Sequence, residues 1–287
     1  MVTTIWAGGR LRGPDEPVLT AVDHGLTVGD GVFETCAVVG GRAFALTRHL
    51  ARLQASARGL GLPPLPLDEV REGVDAVLAA AGSDAGRLRI TVTGGPGPMG
   101  SGRFAPAEQR PTVVVVAAPA SGLRTSRAVR VPWVRNERSP LAGLKTTSYG
   151  ENVVALGRAT AAGADEALLA DTRGRLSEGT GSNVFVETGG ELLTPSLETG
   201  CLAGITRALV LEWSAQEGLP VREAAPTELP WSVLDEVVAG RAGLALTGSI
   251  RNVTPVVELD GTPVAAGELS QQVRALVEAR MADDLDP

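Results

Sequence analysis

The sequence predicts a two-domain chain of mixed helices and strands, α+β in its first half and closer to α/β in its second. Three observations carry that expectation. Strand-like runs in the first half are joined by glycine turns, not by long helical crossovers. Around Pro119 to Ser126 the pattern lapses into small and polar residues, so a linker is expected at 119–127, between a small domain (1–118) and a larger one (128–287). A chain of 287 residues has room for two cores.

Each element follows from local pattern. Thr3 to Trp6, Pro17 to Ala21, Val32 to Val39 and Arg42 to Leu46 read as strands, with a hairpin signal at Gly40-Gly41. Thr47 reads as the N-cap of a helix carrying Leu50, Leu53, Ala57 and Leu60 on one face and ending at Gly59 and Gly61. After three prolines a second helix is expected from Asp68 to Ala81. Strands Arg87 to Thr93 and Thr112 to Ala118 flank the loop GGPGPMGSGRFAPAEQRP. The second half predicts a strand at Val129 to Arg135, a helix from Glu151 to Ala162, and strands at Ala167 to Ala170 and Val184 to Glu187. There follow a strong helix from Ile205 to Glu217, a strand near Val221, an LTGS loop, a strand at Thr254 to Leu259 and a helix from Glu268 to Ala282.

Composition narrows function. Net charge of -7 argues against a nucleic-acid surface. No apolar run approaches the roughly 18 residues of a membrane span, and MVTTIWAGGR lacks the pattern of a secretory leader. Cys36 and Cys201 have no metal-ligand spacing and read as buried thiols of a cytoplasmic protein. With only His24 and His49, a His-rich metal site or a Ser-His-Asp triad has few ways to be built, and no metal is expected.

The basic residues are lopsided: 26 in all, of which one, Lys145, is lysine. Guanidinium can serve ion pairs and phosphate contacts but keeps its proton, so it cannot act as a nucleophilic amine. Lys145 is therefore either kept for amine chemistry or a stray surface residue. Its neighbours in LAGLKTTSYGENVVAL are small or apolar, and such surroundings favour the neutral amine needed for a Schiff base. Tyr149, the only tyrosine, follows four residues later, the reverse of the short-chain dehydrogenase order. Gly204-Ile205-Thr206 opens the clearest helix, where free amides can hold an anion, and Thr247-Gly248-Ser249 is a second small anion-binding candidate. Each is equally readable as an ordinary helix start or turn. Glu178 by itself reads as a strand-end acid, and Arg52 as a snorkelling helix arginine.

In order along the chain, DHGLTVGDGVFET (23–35), HLARL (49–53), LAGLKTTSYGENVVAL (141–156), ADEALLADTRGRLSEGTGSNVFV (164–186), LAGITR (202–207) and LTGSIRNVTPV (246–256) resemble the class IV family of pyridoxal-phosphate enzymes. That family holds branched-chain and D-amino-acid aminotransferases, (R)-selective amine transaminases and aminodeoxychorismate lyase. The resemblance implies fold type IV, D-amino-acid aminotransferase-like, with pyridoxal 5′-phosphate as cofactor and a homodimer. It implies that Lys145 forms the internal aldimine, that Glu178 faces the pyridine nitrogen, and that Arg52 pairs with the phosphate. Gly204, Ile205, Thr206, Gly248 and Ser249 would complete the phosphate cradle, and Tyr149 would lie near the 3′-oxygen. The implied reaction moves an amino group between an amino acid or amine and a 2-oxo acid, with aminodeoxychorismate lyase as the alternative. A cofactor-free Schiff-base aldolase or a degenerate binding module would fit the lone lysine without the other motifs. For the substrate, Arg89 and Arg103 are the carboxylate candidates, each also readable as a surface ion pair. Phe33 and Val28 are further substrate-side candidates, Val28 standing where some D-selective members carry arginine.

Overall fold

In a computed structural model, which describes residues 3–120 and 122–287, the chain divides into two units. The first comprises Met1–Ser121, Leu144–Tyr149 and Leu285–Pro287; the second comprises Gly122–Gly143 and Gly150–Asp284. Ser121, inside the expected linker, lies outside the described residues, as do Met1 and Val2 of the N-terminal segment.

Alternation of apolar side chains builds the first unit. Its elements are β1 (Thr4–Ala7), β2 (Arg10–Arg12), α1 (His24–Thr27), β3 (Gly31–Val39), β4 (Arg42–Ala43), α2 (Leu46–Leu60), α3 (Leu67–Ala81), β5 (Arg87–Thr93) and β6 (Thr112–Ala118). The strands form one antiparallel sheet in the order β2-β1-β6-β5-β3-β4. One face of it carries Trp6, Val32, Cys36, Leu88, Ile90, Val92, Val113 and Val115, buried against Leu50 and Leu53 of α2 and Val70, Val74 and Val77 of α3. The β3–β4 hairpin turns at Gly40 and Gly41, whose φ of 56° and 76° suit glycine and match the right-handed twist of the strands.

Several expectations shift here. Pro17 to Ala21 is irregular, with a bend at Leu19 and a turn beginning at Ala21, not a strand, and the strand read at Arg42 to Leu46 stops at Ala43. Thr47 is not the N-cap. Ala45 takes that place with left-handed backbone (φ 52°) and no side-chain bond. The helix end is capped from far along the chain: Thr47 donates its N–H to Asp286 Oδ1 (2.8 Å) and its hydroxyl to Oδ2 (2.6 Å). A capping carboxylate of this kind contributes about 0.5–2 kcal/mol.

The second unit runs β7 (Ser126–Arg135), α4 (Gly150–Ala161), β8 (Glu166–Asp171), β9 (Leu176–Gly179), β10 (Asn183–Thr188), β11 (Glu191–Thr194), α5 (Ile205–Gln216), β12 (Val221–Glu223), α6 (Val233–Val238), β13 (Gly243–Gly248), β14 (Asn252–Leu259), β15 (Thr262–Pro263) and α7 (Glu268–Asp283). Its sheet has the order β12-β11-β10-β13-β14-β7-β8-β9, with β15 beside β14. Strands β7, β8 and β14 pair in parallel, as strands joined by crossovers must. The sheet curls enough that β9, at its far edge, passes through a short bend into β10, where Gly179 donates to the Ser182 carbonyl (2.8 Å). The core gathers Leu168, Leu176, Val184, Val186, Leu244 and Leu246 against Val233, Leu234 and Val237 of α6, a helix too short for periodicity to reveal. The LTGS segment is mostly strand: β13 runs through Gly248, and only Ser249 lies in the turn.

Candidate active site

Lys145 is placed by strand pairing. Phe33 donates its N–H to the Lys145 carbonyl (3.1 Å), Thr147 donates to the Gly31 carbonyl (2.8 Å), and Lys145 donates its own N–H to Ser56 Oγ (3.1 Å). The segment thus lies along the start of β3, with Val32 opposite Thr146. Its Nζ is 4.5 Å from the centroid of the Phe33 ring. The Arg89 guanidinium sits over the same ring at 3.8 Å, and Tyr149 meets the ring edge-on at 5.3 Å. The register explains the grouping. Phe33 pairs with Thr91 and Thr35 with Arg89, so all four side chains share the sheet face opposite the helices. Arg89 donates Nε to Thr91 Oγ1 (3.3 Å) and has no carboxylate partner among the described residues.

On the helix-facing side of β3, Glu34 is fully buried. It accepts from His49 Nδ1 (2.7 Å) and from Arg52 through Nε and Nη2 (both 2.7 Å). Burial works to raise the Glu34 carboxyl, but Arg52 and His49 overcome it and hold it down at about 2. Burial in turn lowers His49, against the pull of Glu34, so the neutral ring carries its proton on Nδ1. Arg103 is engaged differently. It donates to both Asp30 oxygens (2.7 and 2.5 Å) and to the Leu60 and Gly61 carbonyls (3.0 and 2.7 Å), tying the β5–β6 loop to the body of its unit. Val28 ends α1 and is 42% exposed.

In the second unit Glu178 is buried on β9. Its Oε2 accepts from the Leu202 N–H (2.9 Å), and its Oε1 lies 3.1 Å from Arg135 Nε. Asn183, the first residue of β10, donates to the Leu202 carbonyl (2.8 Å), and a Cβ on Gly204 would stand 2.0 Å from its Oδ1. Any side chain at 204, the N-cap of α5, would therefore displace the Asn183 amide, and no side chain caps that helix. Asn183 faces Thr247 across the β10–β13 ladder, which brings Gly248 and Ser249 to the same end of the sheet as the start of α5. Thr206 is buried there, and Thr247 Oγ1 is buried without a hydrogen-bond partner among the described residues. An uncapped helix N-terminus with an unused buried hydroxyl nearby fits a phosphate-bearing group.

Sequence reading missed Arg135, Asn152 and His49. None has a local signal, because each acts on a partner from another element. Both cysteines are buried thiols, as expected, and burial pushes both up, Cys201 to about 11, so neither suits a nucleophile's role. Among the described residues no helix is long and apolar enough to cross a membrane.

The Glu34 cluster yields a prediction with a defined pH window. Removing one partner of a buried ion pair costs about 3–5 kcal/mol, so Glu34→Gln should lower the thermal midpoint clearly at pH 7. A folded carboxyl held below its unfolded value stabilises above the unfolded pKa and loses that contribution as pH falls through the folded one. The gap between wild type and variant should therefore narrow between about pH 4.5 and pH 2. A gap that stays constant across that range would show Glu34 is not held as an ion.

The amino-transferase class IV family matches residues 31–259. A bifunctional aminodeoxychorismate lyase / D-amino acid transaminase of Mycobacterium tuberculosis is 30% identical, covering 95% of this chain and 100% of its own. A branched-chain-amino-acid aminotransferase of Pseudomonas aeruginosa is 29% identical, covering 92% of this chain and 87% of its own. A hypothetical aminotransferase from Mycobacterium tuberculosis, in its PLP-bound form, superposes with a TM-score of 0.82 at 28% identity, over 99% of this chain and 100% of its own. These likenesses set aside a cofactor-free aldolase. The chain belongs to the class IV amino-transferase family: it has fold type IV and depends on pyridoxal 5′-phosphate.

Proposed function

We propose that the protein is a transaminase whose catalytic residue is Lys145 and whose substrate carboxylate is received by Arg89. One observation carries the reading: the only lysine amine and a guanidinium without a carboxylate partner among the described residues lie over one Phe33 ring. An amine beside a carboxylate receptor suits a substrate that bears both groups on one carbon. Arg103, spent on Asp30 and two carbonyls, is the weaker receptor.

Pyridoxal 5′-phosphate supplies, when bound, an aldehyde for amines and a ring that draws in the electron pair left at the substrate Cα. On this reading Lys145 Nζ would be the amine that holds the cofactor's carbonyl carbon and, once released by the substrate amine, the base that takes up and returns the substrate Cα proton. Glu178 accepts the hydrogen bond of the pyridine N–H, and Tyr149 serves the 3′-oxygen. The amides of Ile205 and Thr206, the Thr206 hydroxyl, and Gly204, Gly248 and Ser249 hold the phosphate, with Arg52 as its cation. The name of the bifunctional relative favours one second reading. In it, the same proton removal is followed by release of pyruvate from aminodeoxychorismate, leaving 4-aminobenzoate. A homodimer is also proposed. Val153 and Val154 on α4, 66% and 58% exposed, with Trp133 and Val134 at the end of β7, form the kind of apolar surface that a partner covers.

Four outcomes are expected. Borohydride reduction of the holoenzyme should fix the cofactor on Lys145 alone, read by peptide mass spectrometry. Some D- or L-amino acid or (R)-amine should then convert the unreduced enzyme to its amine form; if none in a broad panel moves the visible absorbance, transamination is the wrong reading. Arg89→Leu should lower kcat/KM for carboxylate-bearing donors about 10- to 100-fold and spare a carboxylate-free amine. Equal losses on both donors would remove Arg89 from the receptor role. Light scattering should give about twice the 29.5 kDa chain mass, and a fully active monomer would refute the dimer.

A further inference from the structure

We propose that Arg135 is a positioning residue that keeps the Glu178 carboxylate ionised and aimed, with Asn152 fixing the plane of the guanidinium. The inference rests on the reading of Glu178 as partner of the pyridine nitrogen.

Arg135 is the last residue of β7, and its side chain is mostly buried. Nε lies 3.1 Å from Glu178 Oε1, while Nη1 and Nη2 each donate to Asn152 Oδ1 at 3.2 Å. Asn152, buried on the first turn of α4, donates in turn to the Thr180 carbonyl, two residues past Glu178. The two Nη groups are thus held by an amide that is itself tied to the chain beyond the carboxylate, while the buried Nε, which makes no hydrogen bond among the described residues, faces that carboxylate as an ion-pair partner. With Leu202 donating to the other oxygen, each oxygen of Glu178 has one fixed cationic or amide neighbour. Glu151 also approaches Arg135, at 3.8 Å, but its side chain is exposed and the pairing weak.

The consequence is chemical. Burial alone favours the neutral acid, which donates a hydrogen bond; a guanidinium at 3.1 Å favours the carboxylate, which accepts one. A proton shared between that carboxylate and a ring nitrogen then stays on the nitrogen, as an electron-withdrawing ring requires. Arginine suits the task because it cannot itself give up its proton. A merely structural Arg135, joining β7 to α4, would stabilise the fold without any dependence on Glu178.

A double-mutant cycle separates the two. Apoprotein is titrated with pyridoxal 5′-phosphate, and dissociation constants are taken from quenching of tryptophan fluorescence, for wild type, Arg135→Met, Glu178→Gln and the double variant. Thermal midpoints of the four apoproteins are recorded alongside. Arg135→Met is expected to weaken binding about 10- to 100-fold in the wild-type background but less than about 3-fold when Glu178 is already Gln. Arg135→Lys, which keeps the charge and loses the fork, should recover much of the affinity. Equal weakening in both backgrounds, or none in either, would overturn the proposal. Should Arg135→Met fail to fold, Arg135→Gln carries the same comparison. If Glu178→Gln binds as tightly as wild type, the role given to Glu178 falls, and this inference with it; if Glu178→Gln is weakened and the Arg135 variants are not, only the inference falls.

Discussion

An ionised carboxylate without access to water persists only if fixed donors replace its hydration. Glu34 is such a group, set opposite Ile90 inside an apolar sheet face. Its donors, His49 and Arg52, stand one turn apart on α2, so satisfying the carboxylate fixes both the rotation and the translation of that helix against β3. The same constraint reaches the other face. Side chains alternate along a strand, and a slip of one residue would bring Phe33 into the core and put Glu34 outside it. Holding Glu34 inward therefore holds Phe33 outward, where Arg89 and Lys145 meet its ring.

The second unit uses rigid elements in the same way. Glu178 lies on a strand, its ion-pair partner comes from a strand end and its backbone donor from the approach to α5, and that approach is tied by Asn183 to β10. One amide side chain thereby locks three features together: the backbone that holds Glu178, the glycine at the start of α5, and the strand partner of Thr247. Groups mounted on strands and helix ends keep their geometry better than groups mounted on loops. The cost is that Gly204 can hardly change, since any Cβ would displace Asn183.

Much of this was legible along the chain because it is local. The Gly40-Gly41 hairpin, the periodic helices near 46–60 and 205–216, and the isolation of Lys145 all lie within windows of about a dozen residues. What was not legible depends on distant partners. Asp286 caps a helix 239 positions earlier, which no reading of Thr47 and its neighbours could reveal. Arg135 lies ten residues before Lys145 and looks like any strand-end arginine until folding brings Glu178 beside it. Pro17 to Ala21 has strand-like composition, yet it stays irregular, because pairing decides what composition only permits.

The division of labour among the basic residues follows from what each cation can do. Arg52 on Glu34, Arg103 on Asp30, Arg175 on Asp171 and Arg207 on Glu223 are permanent counter-ions, planar and always charged, suited to places where the proton must never leave. An amine differs from guanidinium in that it can give up its proton and form bonds through its nitrogen. The Lys145 backbone is bonded on both sides, to Phe33 and to Ser56. Its Nζ lies over an aromatic ring whose attraction for a cation amounts to about 0.5–2 kcal/mol, below the hold of a buried ion pair. With 25 arginines available for fixed charge, the single lysine is the one side-chain amine of the chain, and on the proposed reading the chemistry falls to it.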